Sequence, residues 1–304
     1  MKIIDFMGSR KLALGLSLCL ILGSISSLVV RQLNWGLDFT GGTLLELHYS
    51  GAADLDAIRN LLTERDVEGA MVVAFGSEQD VLIRLPAASA GKDDEAILQA
   101  LQAGYDGDVE LRRTEFVGPQ VGEELREKGG LAMLLASGLI MLYISFRFQS
   151  KFAVAAVTAL IHDVLITLGF FSITGLEFNL TVLAALLAVI GYSINDTIVV
   201  FDRLRENFRR LRDTSVQDTI NASLNETLGR TVVTSLTTLL VLVALAIYGG
   251  DMIFGFALAL LIGVIVGTYS SVYVASSLLM MLGVSRRDLI VPATQDQDAD
   301  ASTP

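Results

Sequence analysis

Histidine, cysteine and charge are all scarce in this chain. Its 304 residues hold two His and one Cys, and 18% are charged. The lone Cys19 excludes an internal disulfide. No nucleophile stands near a base, and no set of His, Cys and carboxylates has metal-ligand spacing. No Gly-rich loop leads from a strand into a helix, so there is no cradle for a nucleotide phosphate. A formal net charge of −11 leaves no basic patch for nucleic acid. The chain is therefore not expected to be an enzyme or a nucleic-acid binder, nor to draw its energy from ATP.

What is abundant is apolar sequence, 52% of all residues. Uncharged or nearly uncharged runs occupy 12–30, 130–146, 152–173, 178–201, 231–248 and 252–282. Each is near or above the roughly 17 residues needed to cross a bilayer. Six spans are expected. The first is too long for a signal-peptide core and lacks a small-residue cleavage site, so it reads as a retained anchor.

Basic residues orient the spans. Lys2, Arg10 and Lys11 precede the first, and Arg147 and Lys151 lie between the second and third. Arg203, Arg205, Arg209, Arg210, Arg212 and Arg230 follow the fourth, and Arg286 and Arg287 follow the sixth. The hairpins on the other side carry only Glu177 and Asp251. An excess of Lys and Arg marks cytoplasmic segments, which puts both termini in the cytoplasm. The expected organisation is 1–30 for the N-terminus and first helix, and 31–128 for an outer domain. Residues 129–283 hold helices two to six, with a cytoplasmic loop at 202–230, and 284–304 form a cytoplasmic acidic tail, expected to be disordered from Gln295 to Pro304.

The outer insertion carries 9 basic and 19 acidic residues, nearly all of the chain's net charge. Its segments read strand, helix, strand, strand, helix, strand, with Val81, Ile83 and Leu85 alternating against Leu82 and Arg84. This is the ferredoxin-like order, and the domain is large enough to fold alone. His48 is expected to be structural. Gly36, Gly41 and Gly42 suit a tight exit from the first span, with Asp38 as a turn former. Gly118 and Pro119 break the last strand ahead of a helix that feeds the second span, a stretch that includes Gly122. Both segments read as hinges or docking points between domain and membrane.

One carboxylate stands inside a spanning run. Asp196 lies six residues before the interfacial Asp202, about 9 Å along a helix at ~1.5 Å per residue. Such a group costs roughly 2.5–3.5 kcal/mol in hydrocarbon, so it faces the bundle interior and is paired, protonated or wet. Its neighbour is Asn195. At the inner start of the fifth span, Arg230 is followed by Thr231, Thr234, Ser235 and Thr238, a spacing that lines one helix face with hydroxyls. Arg230 can bend inward toward Asp196. Burial favours a neutral acid and a nearby guanidinium an ionised one, so a moving Arg would gate proton uptake and release. A permanent Asp–Arg pair that sets helix register fits the same residues. His162 and Asp163 fall near mid-membrane in the third span, but adjacent residues point to different helix faces, which favours a structural role. Small residues every fourth position in the sixth span (Gly255, Ala259, Gly263, Gly267, Ser271, Ala275) and in the fourth (Ala184, Ala188, Gly191, Asn195) mark close-packing ridges.

Four stretches carry a resemblance: GLDFTGG at 36–42, VGPQVGEEL at 117–125, GYSINDTIVVFDRLREN at 191–207 and GRTVVTSLTTLL at 229–240. In this order, set against six spans and one outer domain, the chain resembles the SecD/SecF family of the bacterial Sec protein-export machinery, within the resistance-nodulation-division superfamily. The resemblance spans about residues 1–285. It implies an α-helical membrane protein whose six helices are half of a twelve-helix transporter unit, with one small α+β extracytoplasmic domain between helices 1 and 2. It implies that SecD supplies the other half and that the unit works with the SecYEG channel on translocating preproteins in the bacterial inner membrane, with YajC and YidC as further partners. It implies no cofactor beyond a proton gradient, though carboxylate and hydroxyl oxygens also suit Na⁺. By motif, Asp196 resembles the family's proton-coupling acid and Arg230 its switching partner, with Asn195, Thr234, Thr237, Thr238, His162 and Asp163 as supporting polar groups. A docking subunit that moves no ion, and half of a small-molecule exporter, are the competing expectations. The outer domain's single Trp35 and few aromatics give an exporter little to build an apolar pocket from.

Overall fold

The computed structural model describes residues 4–65, 67, 69–86, 94–211 and 213–285. Lys2, Arg212 and the tail from residue 286, with Arg286 and Arg287, lie outside the described residues.

The first apolar run forms α1 (Arg10–Val30) after a single 3₁₀ turn. A two-residue strand β1 (Asn34–Trp35) and a one-turn helix α2 (Leu37–Thr40) then lead into the outer domain. That domain runs β2 (Gly42–Tyr49), α3 (Leu55–Glu64), β3 (Met71–Phe75), β4 (Ser77–Pro86), α4 (Asp94–Ala103) and β5 (Val109–Val117). Its strands lie in the order β3-β4-β2-β5 with every neighbouring pair antiparallel, the ferredoxin-like arrangement expected from the element order. The alternation read in β4 has its cause here. Val81, Ile83 and Leu85 are fully buried and pair with Leu47, Leu45 and Thr43 of β2. They pack beneath Ile58 and Leu62 of α3 and Ile97 and Leu101 of α4. Asp54 caps α3 by accepting from the backbone N–H groups of Asp56 and Ala57, a cap worth about 1 kcal/mol. His48 holds Asp80 at 2.6 Å near the end of β2.

The remaining helices are α5 (Pro119–Arg147), α6 (Ser150–Thr174), α7 (Leu180–Arg210), α8 (Val216–Tyr248), α9 (Asp251–Ser270) and, after a π-helical turn at Ser271–Ala275, α10 (Ser276–Met281). The short β6 (Glu177–Phe178) precedes α7 and pairs in parallel with β1. Among the described residues, six helices are long and apolar enough to cross a membrane, and the protein is a multi-pass membrane protein. α6 and α7 are the central helices. α1, α5 and α8 leave most of their apolar side chains open, including Leu134, Leu139, Val233 and Leu240.

Two expected boundaries move. α5 is continuous from Pro119, so the helix begins well before residue 128; proline at its first position gives up an N–H that would be unpaired anyway. The loop expected at 202–230 is mostly helix. α7 extends to Arg210 and α8 starts at Val216, because Glu226 clamps Arg203 (3.6 Å) and Arg210 (2.6 Å) between the two extensions.

The small-residue ridges divide. Along α9, a Cβ at Gly255 or Gly267 would stand 3.0 Å from Val182 or Ser193 of α7, so those glycines serve close packing as expected. On α7 the ridge Ala184, Ala188, Gly191, Asn195 points away from α9 and is exposed. The α7 face that packs inward carries Val182, Val189, Ser193 and Asp196 instead.

Candidate functional site

α7 places Asp196 on its buried face at 3% exposure, one turn from Ser193, and Asn195 on its open face. The carboxylate sits beside the Ser235 hydroxyl of α8 and within electrostatic reach of Arg230. Ser235 is shared with Thr268 of α9 at 2.7 Å. Asp196 Oδ2 has no hydrogen-bond partner among the described residues.

Arg230 does not ion-pair with Asp196 among the described residues. Its side chain is exposed and lines a polar cleft of about 230 Å³ with Asp202, Arg203, Glu206, Glu226 and Thr227. A long basic side chain near a helix end reaches for the polar boundary, which is where this one lies. From Arg230 the expected hydroxyl stripe runs up to and past Asp196: Thr231 and Ser235 are buried, Thr234 and Thr238 half-buried. Tyr192 of α7 donates to Thr238 at 3.4 Å. Thr237 lies off the stripe. It is exposed and donates to carbonyls of its own helix, Val233 (3.0 Å) and Thr234 (2.9 Å).

His162 and Asp163 form a second polar centre, at 2% and 1% exposure. α6 is wrapped by α1, α5, α7 and α9, so both faces offered by adjacent residues are interior. Asp163 Oδ1 meets His162 Nδ1 at 2.8 Å, while Oδ2 accepts from Ser193 of α7 (2.5 Å) and Ser270 of α9 (2.8 Å). His162 Nε2 lies 3.2 Å from Ser17 of α1, which in turn meets the Tyr269 hydroxyl at 3.1 Å. Ser270 immediately precedes the π-helical turn, a local irregularity that resets the register of side chains on that helix. Sequence reasoning missed Ser17, Ser193, Tyr269 and Ser270. The one available signal was Ser193, a polar residue one turn from Asp196 in an apolar run.

The two acids differ in kind. Both oxygens of Asp163 are held by a closed hydrogen-bond network across four helices. Asp196 carries an unpartnered oxygen beside the Ser235 hydroxyl.

The outer motifs converge above α7. Asp38 Oδ2 accepts from the backbone N–H of Leu180, the first residue of α7, at 2.9 Å, and Asn179 accepts from Val182 N–H at 3.0 Å. The turn former expected at 38 is thus a cap on a helix 142 residues away. Gly41 has φ 70°, and a Cβ there would lie 2.8 Å from Pro119 Cα. A Cβ at Gly122 would stand 2.9 Å from the Phe39 carbonyl carbon, so α2 rests backbone to backbone on the start of α5. Gly118 caps that helix in extended conformation, and Gly42 opens β2 between Pro86 and Val117.

Comparison with known proteins gives this geometry a context. Residues 97–285 match the family described as protein export membrane protein SecD/SecF, C-terminal, and residues 26–53 match the SecD/SecF GG motif. The chain is 50% identical to the protein translocase subunit SecF of Pseudomonas aeruginosa, covering 96% of each chain. It is 41% identical to the protein of the same description from Escherichia coli O157:H7, over 98% of this chain and 94% of that one. A crystal structure of SecDF, a translocon-associated membrane protein from Thermus thermophilus, matches 92% of this chain at 39% identity and a TM-score of 0.83. The chain spans 38% of that SecDF chain. It belongs to the SecD/SecF family of protein export membrane proteins.

Proposed function

We propose that this chain couples a proton gradient to the late stages of protein export across the bacterial inner membrane, with Asp196 as the acid that carries the proton. The observation behind this reading is the contrast between the two buried acids: Asp163 is saturated, and Asp196 has an open oxygen beside Ser235. An ionisable group kept inside a membrane bundle without a full set of partners is a functional site by default.

Arg230 has two places to go. Ionised Asp196 draws it inward along Thr231 and Thr234, and protonated Asp196 leaves it in the cleft with Asp202, Glu206 and Glu226, where it stands in this structure. Neutralising Asp196 therefore shifts the guanidinium by changing the relative attraction of two carboxylate sites. Such a two-position charge turns proton uptake on one side into helix movement.

The partner in this reading is SecD. The exposed ridge Ala184, Ala188, Gly191, Asn195 lies beside the Asp196 helix face and is shaped for close helix–helix approach. The six helices make up one half of the unit, and the share of the SecDF chain left uncovered has room for the other. With both termini cytoplasmic, the outer domain faces the emerging preprotein, and the SecYEG channel, YajC and YidC complete the assembly. Vesicles holding this complex under separately imposed gradients test the ion: export driven by H⁺ alone is expected, and export driven only by Na⁺ would contradict the proton assignment.

A further inference from the structure

The outer domain and the helix that carries Asp196 meet at one point. Asp38 lies between α1 and the first strand of the domain, and its carboxylate ends on the N–H of Leu180. Leu180 begins α7, whose first N–H groups have no partner within the helix. Another tie at this point comes from the sheet itself. Arg84 of β4 pairs with Glu177 and donates to the Trp35 carbonyl at 3.4 Å. Trp35 and Phe178 pair through the β1–β6 bridge, and Phe39 stacks on Phe178 at 6.0 Å. Glu177, Phe178 and Asn179 lead directly into α7.

A displacement of the sheet therefore reaches α7 through a few short, rigid contacts, the last of them a charge-assisted hydrogen bond of 2.9 Å. From Leu180 to Asp196 the helix is unbroken, about 24 Å at ~1.5 Å per residue. We infer that Asp38 is a positioning residue that joins movement of the outer domain to movement of the Asp196 helix. It touches neither the proton nor the preprotein. Its work is to keep the start of α7 fixed to the domain, so that a shift of α7 is felt outside the membrane.

This inference rests on Asp196 being the proton-carrying acid, and it has a distinct signature: loss of Asp38 uncouples proton movement from export without stopping proton movement. The complex of this chain with SecD and the channel, in vesicles under a pH gradient, is assayed for proton uptake and for export in parallel. Asp38→Ala is expected to keep proton uptake within about twofold while export falls about tenfold, the scale of loss that follows from small misplacement of a working element. Asp38→Asn retains an amide oxygen that accepts from Leu180 N–H and is expected to restore export. Export unchanged in Asp38→Ala, proton uptake lost together with export, or no rescue by Asn would each overturn the inference. Should Asp38→Ala fail to assemble, the donor side decides. Leu180→Pro removes the N–H at a first helical position where proline is tolerated, and Leu180→Ala removes only the side chain. Uncoupling by Pro but not by Ala is expected, and equal behaviour of the two would overturn the inference. An Asp196→Asn complex with normal proton uptake would instead contradict the proposed function and leave the Asp38 contact a matter of structure.

Discussion

The hydroxyl of Ser193 donates to Asp163 at 2.5 Å, one helical turn from Asp196. α7 therefore carries a fixed polar contact and an open acid on the same buried face. The fixed contact sets the rotation of α7 against α6 and aims Asp196 at α8.

Removing the fixed contact is expected to cost stability. Asp163→Ala strands His162, Ser193 and Ser270 without their acceptor in the interior, a loss of about 3–5 kcal/mol by the measure of broken buried pairs. Asp196→Asn loses no hydrogen bond at Oδ2 and is expected to stay within about 1 kcal/mol of the parent. Thermal unfolding of the detergent-solubilised protein compares the two, and equal losses would contradict the distinction between the acids.

The contact between α2 and α5 has no room for a methyl group. Gly122→Ala drives a Cβ toward the Phe39 carbonyl carbon and is expected to destabilise by about 1–3 kcal/mol. Gly130→Ala on the same helix meets nothing within 4 Å and is expected to be neutral or slightly stabilising. A comparison of unfolding midpoints reads the difference.

The outer domain has an acid-sensitive edge. The Ser77 hydroxyl, His48 and Arg112 hold the Asp80 carboxyl below its usual range. A lowered folded value gives stabilisation that is complete above the unfolded pKa of about 3.9 and is lost as pH falls through the folded value. Hydrogen exchange at the start of β4 in the full chain is expected to quicken below about pH 4, and Asp80→Asn to abolish that dependence.

The exposed ridge on α7 gives a direct test of the partner surface. Ala188→Trp is expected to leave the unfolding midpoint of this chain unchanged, because Ala188 is exposed. It is expected to reduce recovery of SecD in affinity purification about tenfold, since close helix approach tolerates only small residues. Undiminished recovery would place the seam elsewhere.

The six spans and the order of elements in the outer domain were legible because each follows from local apolar periodicity or run length. The surroundings of Asp163 were not. Its partners beyond His162 are serines of α7 and α9, and in helices this evenly apolar a lone Ser gives no sign of which acid it faces. The same evenness hid which way the ridge from Ala184 to Asn195 faces. Asp38 read as a turn residue because local spacing says nothing of a backbone N–H at Leu180. Arg230 was legible as the fifth span's inner charge, but its resting place depends on Asp202, Glu206 and Glu226, which gather only when α7 and α8 extend past the membrane.

The measurement that bears most directly on the central claim is proton uptake by vesicles containing the assembled complex, with Asp196→Asn against the parent. The carboxamide keeps the size of the side chain and cannot ionise. With assembly and SecD recovery unchanged, proton uptake and gradient-driven export are both expected to fall to the level of empty vesicles. Normal uptake and export by the assembled Asp196→Asn complex would contradict the account and leave the chain a docking subunit.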